Sequence, residues 1–134
     1  MASPCEQIGR SAKHVLIVED NLHLRWILAG ALEHRGYTIS EATTGDEAIV
    51  TAIKENPKLI LLDLTLPDMT GTEAARALKQ NPQTAHIPTV GCSAHFGPEW
   101  RDQGLRSGMV GYEQKPVPLK DIEAIIEQFI LLER

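Results

Sequence analysis

Short apolar runs alternate with stretches of helical periodicity five times along this chain, and no other feature constrains its fold as tightly. His14–Glu19 contains Val15, Leu16, Ile17 and Val18, and Lys58–Asp63 contains Leu59, Ile60, Leu61 and Leu62. Unbroken runs of this kind suit strands buried on both faces. Weaker strands are expected over Tyr37–Ala42, Ile87–Ser93 and Met109–Gln114. The first helical stretch, Leu22–Arg35, repeats Leu24, Leu28 and Leu32 at spacing four, with Ile27 and Ala31 beside them, and Gly36 stops it. A short second helix carries Ala48, Ile49, Ala52 and Ile53 and ends at Asn56-Pro57. A third covers Thr72–Gln80, closed by Asn81-Pro82; a fourth, Pro98–Ser107, is interrupted by Gly104. The fifth, Leu119–Leu132, gathers Ile122, Ile125, Ile126, Phe129 and Ile130 on one side. A β-α unit repeated in this way predicts a doubly wound, five-stranded parallel sheet with helices on both faces and right-handed crossovers.

A chain of 134 residues suits one domain whose core needs no metal or disulfide staple. Residues 1–12 are small, polar and without periodicity and read as a flexible N-terminal tail; residues 13–134 read as the domain, with no output domain after its last helix. The net charge of −5, without a Lys/Arg run, argues against nucleic-acid binding and against an anionic membrane surface. No stretch approaches the about 18 apolar residues of a membrane span, and the N-terminus lacks the apolar core of a signal peptide. The expected location is the cytoplasm. Cys5 and Cys92 form no CxxC pair and read as free thiols in a reducing compartment, Cys92 within the core.

Ligands of an open parallel sheet bind beyond the carboxyl ends of its strands. That rule brings together Glu19-Asp20, Asp63, Ser93 and Lys115, which end or follow four of the expected strands. Three carboxylates in one place repel, and a hard divalent cation such as Mg²⁺ relieves that repulsion. An acidic pair alone is ordinarily solvated charge; with Asp63 and Lys115 beside it, metal and ammonium flank an attackable carboxylate. Such a carboxylate can form an aspartyl phosphate, because phosphoryl transfer needs mainly alignment and charge neutralisation. The Ser93 hydroxyl could hydrogen-bond a phosphoryl oxygen.

These residues resemble the receiver domains of bacterial two-component response regulators. The acidic pair lies in VLIVEDNLHLR, the second-strand segment is EATTGDEAI, and the phosphoacceptor segment is LILLDLTLPDMTG. Ser93-Ala94 and Tyr112-Glu113-Gln114-Lys115-Pro116 complete the series in the right order. The resemblance runs from about Lys13 to the C-terminus and implies a flavodoxin-like sheet in the order 2-1-3-4-5. It implies Mg²⁺ held by Glu19, Asp20, Asp63 and the backbone carbonyl of Thr65. Lys115 would contact the phosphoryl group, Ser93 would move toward it, and Tyr112 would turn inward. The surface formed by the fourth helix, fifth strand and fifth helix would then change for a partner protein. Thr65 and His95, each two residues past a site residue, would tune how fast the protein removes its own phosphate. The phosphoryl donor would be a histidine kinase or phosphotransfer protein, and Lys115-Pro116 would be cis.

Glu113 stands where an aliphatic residue is common in that family. Gly91 and Gly104 are expected to weaken their strand and helix, leaving the fourth helix loosely held and the protein a monomer. Asp68 reads as a turn residue. Trp100 could be a partner anchor or core, and Trp26 a reporter of metal at the acidic site. Two other functions compete. The first is a metal-dependent phosphatase acting on outside substrates; one large class of these uses an aspartate nucleophile followed two residues later by an aspartate acid, and Thr65 stands in that second position, so no general acid is supplied. A binding module that has lost phosphorylation should lack Asp63, Lys115 or an acidic partner, and all are present.

Overall fold

The computed structural model describes residues 13–94 and 97–131. Five parallel strands alternate with five helices: β1 (His14–Val18), α1 (Leu22–His34), β2 (Thr38–Ala42), α2 (Gly45–Glu55), β3 (Leu59–Asp63), α3 (Gly71–Gln80), β4 (Thr89–Ser93), α4 (Pro98–Arg106), β5 (Gly111–Gln114) and α5 (Leu119–Leu131). The sheet order is β2-β1-β3-β4-β5, so the chain reverses direction across the sheet between β1 and β3. Residues 1–12, with the expected tail and Cys5, and also His95 and Leu132, lie outside the described residues.

The unbroken apolar runs of β1 and β3 have a simple cause. Leu16, Val18, Ile60 and Leu62 enter one core with Ala48, Ala52, Ala74, Ala75 and Leu78 of α2 and α3. Val15, Ile17, Leu59 and Leu61 enter the other, with Ala29 and Leu32 of α1 and Ile122, Ile126 and Ile130 of α5. Alternate side chains of a strand point to opposite faces, and here both faces are covered. Capping fixes the helix starts. Asn21 accepts from the Leu24 amide, Thr44 from the Glu47 amide, and Thr70 and Glu73 form a reciprocal capping box. Asn56, in the left-handed region at φ 47°, ends α2.

Several expected boundaries shift for hydrogen-bonding reasons. β4 starts at Thr89, not Ile87, because the Ile87 amide is held by Thr84 in a turn and Pro88 has no N–H. β5 starts at Gly111, not Met109, because the Met109 amide donates to Gly104 and closes the end of α4. Helix α4 runs through Gly104 without the expected interruption. The side chain of Met109 explains both glycines. A Cβ on Gly91 would lie 2.6 Å from Met109 Sδ, and one on Gly104 3.2 Å from the same sulfur and from Tyr112 Cδ2. Met109 and Tyr112 are buried, so these glycines are places of close approach between β4, α4 and β5. In helix α1 the apolar spacing does not bring burial along its whole length. Leu24 and Ile27 are 46% and 50% exposed, because the N-terminal half of the helix walls a groove rather than meeting α5.

Candidate functional site

Asp63 closes β3 between β1 and β4, with Cys92 as its neighbour on β4. The apolar residues before it hold the strand in the interior, so its carboxylate emerges at the sheet edge yet is only 7% exposed. Just past β1, the Glu19 amide donates to Ala42 of β2, which carries the acidic pair to the same edge. Glu19 is buried and Asp20 exposed; oxygens of Glu19, Asp20 and Asp63 lie within 4.8 Å of one another. Lys115 arrives from β5, its amide donating to the Ser93 carbonyl at 2.7 Å. Its ammonium contacts Glu19 Oε1 and lies 3.5 Å from Asp63 Oδ1. The Asn21 amide donates to Glu19 Oε2 at 3.2 Å, and the Thr65 amide to Asp63 Oδ1 at 3.3 Å. The Lys115-Pro116 peptide is cis.

Burial and neighbouring charges shift the groups at the centre of the cluster. Burial pushes the Asp63 carboxyl up to about 6; Lys115 opposes this, and Glu19 adds to it. Burial pulls the Lys115 ammonium down, but the hydrogen bond to Glu19 and the charges of Asp63 and Glu19 outweigh it, and its pKa is raised. The donor set fits Mg²⁺: three carboxylates converge, all hard oxygen, with Asp20 open to solvent for a partly hydrated ion.

The other expected site residues fall as follows. Ser93 is buried at the end of β4, and Tyr112 is buried on β5 beneath α4. Glu113, next to it, is half-buried on an edge strand, which tolerates a polar residue. Thr65 is exposed and bridges to Thr70. Cys92 is half-buried rather than core; it lines a groove of about 550 Å³ between α1 and α5, together with Ile17, Leu28, Leu61 and Val117. Burial pushes its thiol up to about 12, which leaves it unreactive near neutral pH. Trp26 is 71% exposed. Trp100 is neither core nor fully exposed, at 39%, and lines a second cavity with Thr65, Met69 and Gln103.

Asp68 is more than a turn residue. Its two carboxylate oxygens accept from the Gly45 amide at 2.8 Å and the Asp46 amide at 3.0 Å, so it caps α2 from the loop after β3. These hydrogen bonds hold its pKa below the ordinary value. Thr44 is the local cap of α2; nothing in the local pattern marks a second one more than twenty residues away.

Comparison with known proteins agrees with this geometry. The family model described as "Response regulator receiver domain" matches residues 15–127. The phosphate regulon transcriptional regulatory protein PhoB of Pseudomonas aeruginosa is 37% identical over 112 residues, covering 84% of this chain and 49% of PhoB. An uncharacterized 14.6 kDa protein of Leptolyngbya boryana is 30% identical, covering 87% of this chain and 89% of that protein. The chain spans only 8% of another relative, histidine kinase P4 of Formosa agariphila. Among solved structures, the chemotaxis protein CheY4 of Vibrio cholerae superposes with a TM-score of 0.82 at 27% identity, covering 87% of this chain and 97% of that one. The receiver domain of the sensor histidine kinase PA1611 of Pseudomonas aeruginosa, which has a magnesium ion in its active-site cleft, superposes with a TM-score of 0.81 at 25% identity, covering 88% of this chain and 97% of that one. A match of this extent on this sheet order makes the chain a member of the response regulator receiver domains, the aspartate-phosphorylated, Mg²⁺-linked signalling domains of two-component systems.

Proposed function

We infer that this receiver accepts its phosphoryl group on Asp63. The observation that carries the reading is the position of Asp63: its carboxylate lies 3.5 Å from the Lys115 ammonium and within 4.8 Å of the oxygens of Glu19 and Asp20. An oxygen of Asp63 attacks phosphorus as the P–N bond of a phosphohistidine donor breaks. Glu19, Asp20 and Asp63, with the Thr65 carbonyl, are the groups to hold Mg²⁺, which when bound neutralises charge on the transferring phosphoryl group. Lys115 leaves Glu19 for a phosphoryl oxygen, exchanging one anion for another at nearly constant position. Ser93 donates its hydroxyl to a second phosphoryl oxygen.

The donor is a histidine kinase or phosphotransfer protein, and the output is a partner protein at the α4-β5-α5 face. Support for that face is the packing of buried Tyr112 against Gly104, which joins the strand bearing Lys115 to α4. Thr65 and His95 tune the protein's removal of its own phosphate, and the switch acts as a cytoplasmic monomer without nucleic-acid contact. No helix among the described residues is long and apolar enough to cross a membrane.

Incubation with Mg²⁺ and acetyl phosphate, followed by mass spectrometry, tests the reading. One acid-labile phosphoryl group on the peptide containing Asp63 is expected. Labelling elsewhere, or no labelling by acetyl phosphate together with no binding of beryllofluoride in the presence of Mg²⁺, refutes it.

A further inference from the structure

Arg25 lies one turn into α1 and has no part in the chemistry described so far. Its side chain is only 13% exposed. Nη1 donates to the backbone carbonyl of Glu19 at 2.9 Å, and Nε donates to Glu41 Oε1 at 3.1 Å. Glu41 lies on β2, beside Ile17 of β1. One guanidinium therefore joins the carboxyl ends of two strands to the first helix.

The Glu19 carbonyl belongs to the peptide that links Glu19 to Asp20. The torsions on either side of that peptide, ψ of Glu19 and φ of Asp20, set the direction of one carboxylate relative to the other, and a hydrogen bond to its carbonyl restrains both. The Glu19 side chain is held by Asn21 and Lys115, but among the described contacts no side chain other than Arg25 restrains the linking peptide. Glu41 does two things for Arg25. It orients the fork, and it neutralises a positive charge that would otherwise repel a divalent cation.

Building on the phosphoacceptor reading above, we propose that Arg25, anchored by Glu41, is a positioning residue for the Mg²⁺ carboxylates Glu19 and Asp20. It sets their spacing through the shared peptide and touches neither metal nor phosphoryl group. Outer partners of metal ligands commonly carry 10- to 100-fold in affinity.

Electrostatics makes the test sharp, because positioning and simple charge predict opposite signs. Arg25→Gln removes a positive charge near a cation site, so Coulomb attraction alone would tighten Mg²⁺ binding. Loss of positioning weakens it. Mg²⁺ dissociation constants are measured by calorimetry at fixed ionic strength for wild type, Arg25→Gln, Arg25→Lys, Glu41→Gln and the Arg25→Gln/Glu41→Gln double variant. The expected result is about tenfold weaker binding for Arg25→Gln. Arg25→Lys should be intermediate, since a single ammonium cannot span both partners as a fork does. The double variant should cost less than the two single changes combined, because they break one unit.

Phosphorylation by acetyl phosphate supplies a second readout: the Mg²⁺ concentration for half-maximal rate rises, while the rate at saturating Mg²⁺ returns toward wild type. Unchanged or tighter Mg²⁺ binding by folded Arg25→Gln overturns the proposal. Should that variant not fold, unchanged binding by Arg25→Lys and Glu41→Gln overturns it equally. If wild type itself binds no Mg²⁺, the phosphoacceptor reading fails and this one with it; if wild type binds and the variants bind as well, only this one fails.

Discussion

The two halves of the sheet are built from different materials. At β1 and β3, aliphatic side chains fill both faces and the strands read as unbroken Val/Ile/Leu runs. At β4 and β5, packing depends on Gly91, Gly104, a single thioether and a half-buried edge strand. The first half carries the acidic centre and the second carries Ser93, Tyr112 and Lys115. Close aliphatic packing on both faces holds three like charges together at a fixed spacing. On the other side α4 is seated through Gly104 on the thioether of Met109, an unbranched and adaptable side chain that also fills the space beside Gly91. The difference teaches that the carboxylates of the site stand on strands covered by aliphatic side chains on both faces, while Ser93, Tyr112 and Lys115 come from strands whose close approach to α4 depends on glycine.

The strongest way to break this comparison is at Asp63. Asp63→Asn should abolish phosphorylation, a loss of roughly a thousandfold or more in rate. The same change should stabilise the metal-free protein. A carboxyl whose folded pKa is raised from 3.8 to about 6 favours folding fully only below the lower value, and loses that contribution as pH rises through the upper one. Asp63→Asn should therefore gain on the order of 1 kcal/mol at pH 7 after allowance for solvent screening, and nothing below about pH 4. Urea denaturation in chelator at the two pH values checks the sign. Next in size is Lys115→Ala, expected to slow phosphorylation by about 100-fold through loss of the cation facing Asp63. Single-turnover labelling measures it.

The soft half is probed by Gly91→Ala. A new Cβ would sit 2.6 Å from Met109 Sδ, and overpacking of this kind costs about 1–3 kcal/mol. Met109→Ala in the same chain should relieve part of that cost, which a thermal-melt cycle would reveal. Gly104→Ala should be milder. Its contact distance is 3.2 Å, and alanine gains about 1 kcal/mol of helix propensity in α4. The expected outcome is near-neutral stability with an altered Tyr112 ring environment by NMR; an unchanged ring would show that α4 does not sense Tyr112. Smallest of all is the exposed cap. Asp68→Ala should lower the melting temperature slightly, and the difference from wild type should shrink as pH falls through the depressed Asp68 pKa, where the cap is lost in both proteins. It should leave Mg²⁺ affinity unchanged.

What could be read from residues alone shows in these particulars. The acidic pair and Asp63 are legible because each ends or follows an apolar run, and Lys115 because it follows an expected strand; strand ends of a parallel sheet share one edge. Helical spacing says which residues of α1 share a face, not whether a second helix comes close enough to cover it, and Leu24 and Ile27 stay exposed. Gly91 and Gly104 looked like weaknesses because the thioether that fills their space comes from a separate turn of chain. The capping role of Asp68 and the bridging role of Arg25 have no local mark: Asp68 bonds backbone amides of another segment, and Arg25 bonds a backbone carbonyl and a Glu41 carboxylate on β2.

Periodicity and order alone determined five β-α units, the two doubly buried strands and the residues at their carboxyl ends, because hydrophobic burial acts along the chain with fixed repeats. Only the tertiary structure decided which face of α1 stays open, how Met109 seats α4, and which amides and carbonyls hold Asp68 and Arg25. Those are close contacts between distant segments, and a contact of a few ångströms is a property of the packed molecule rather than of any stretch of it.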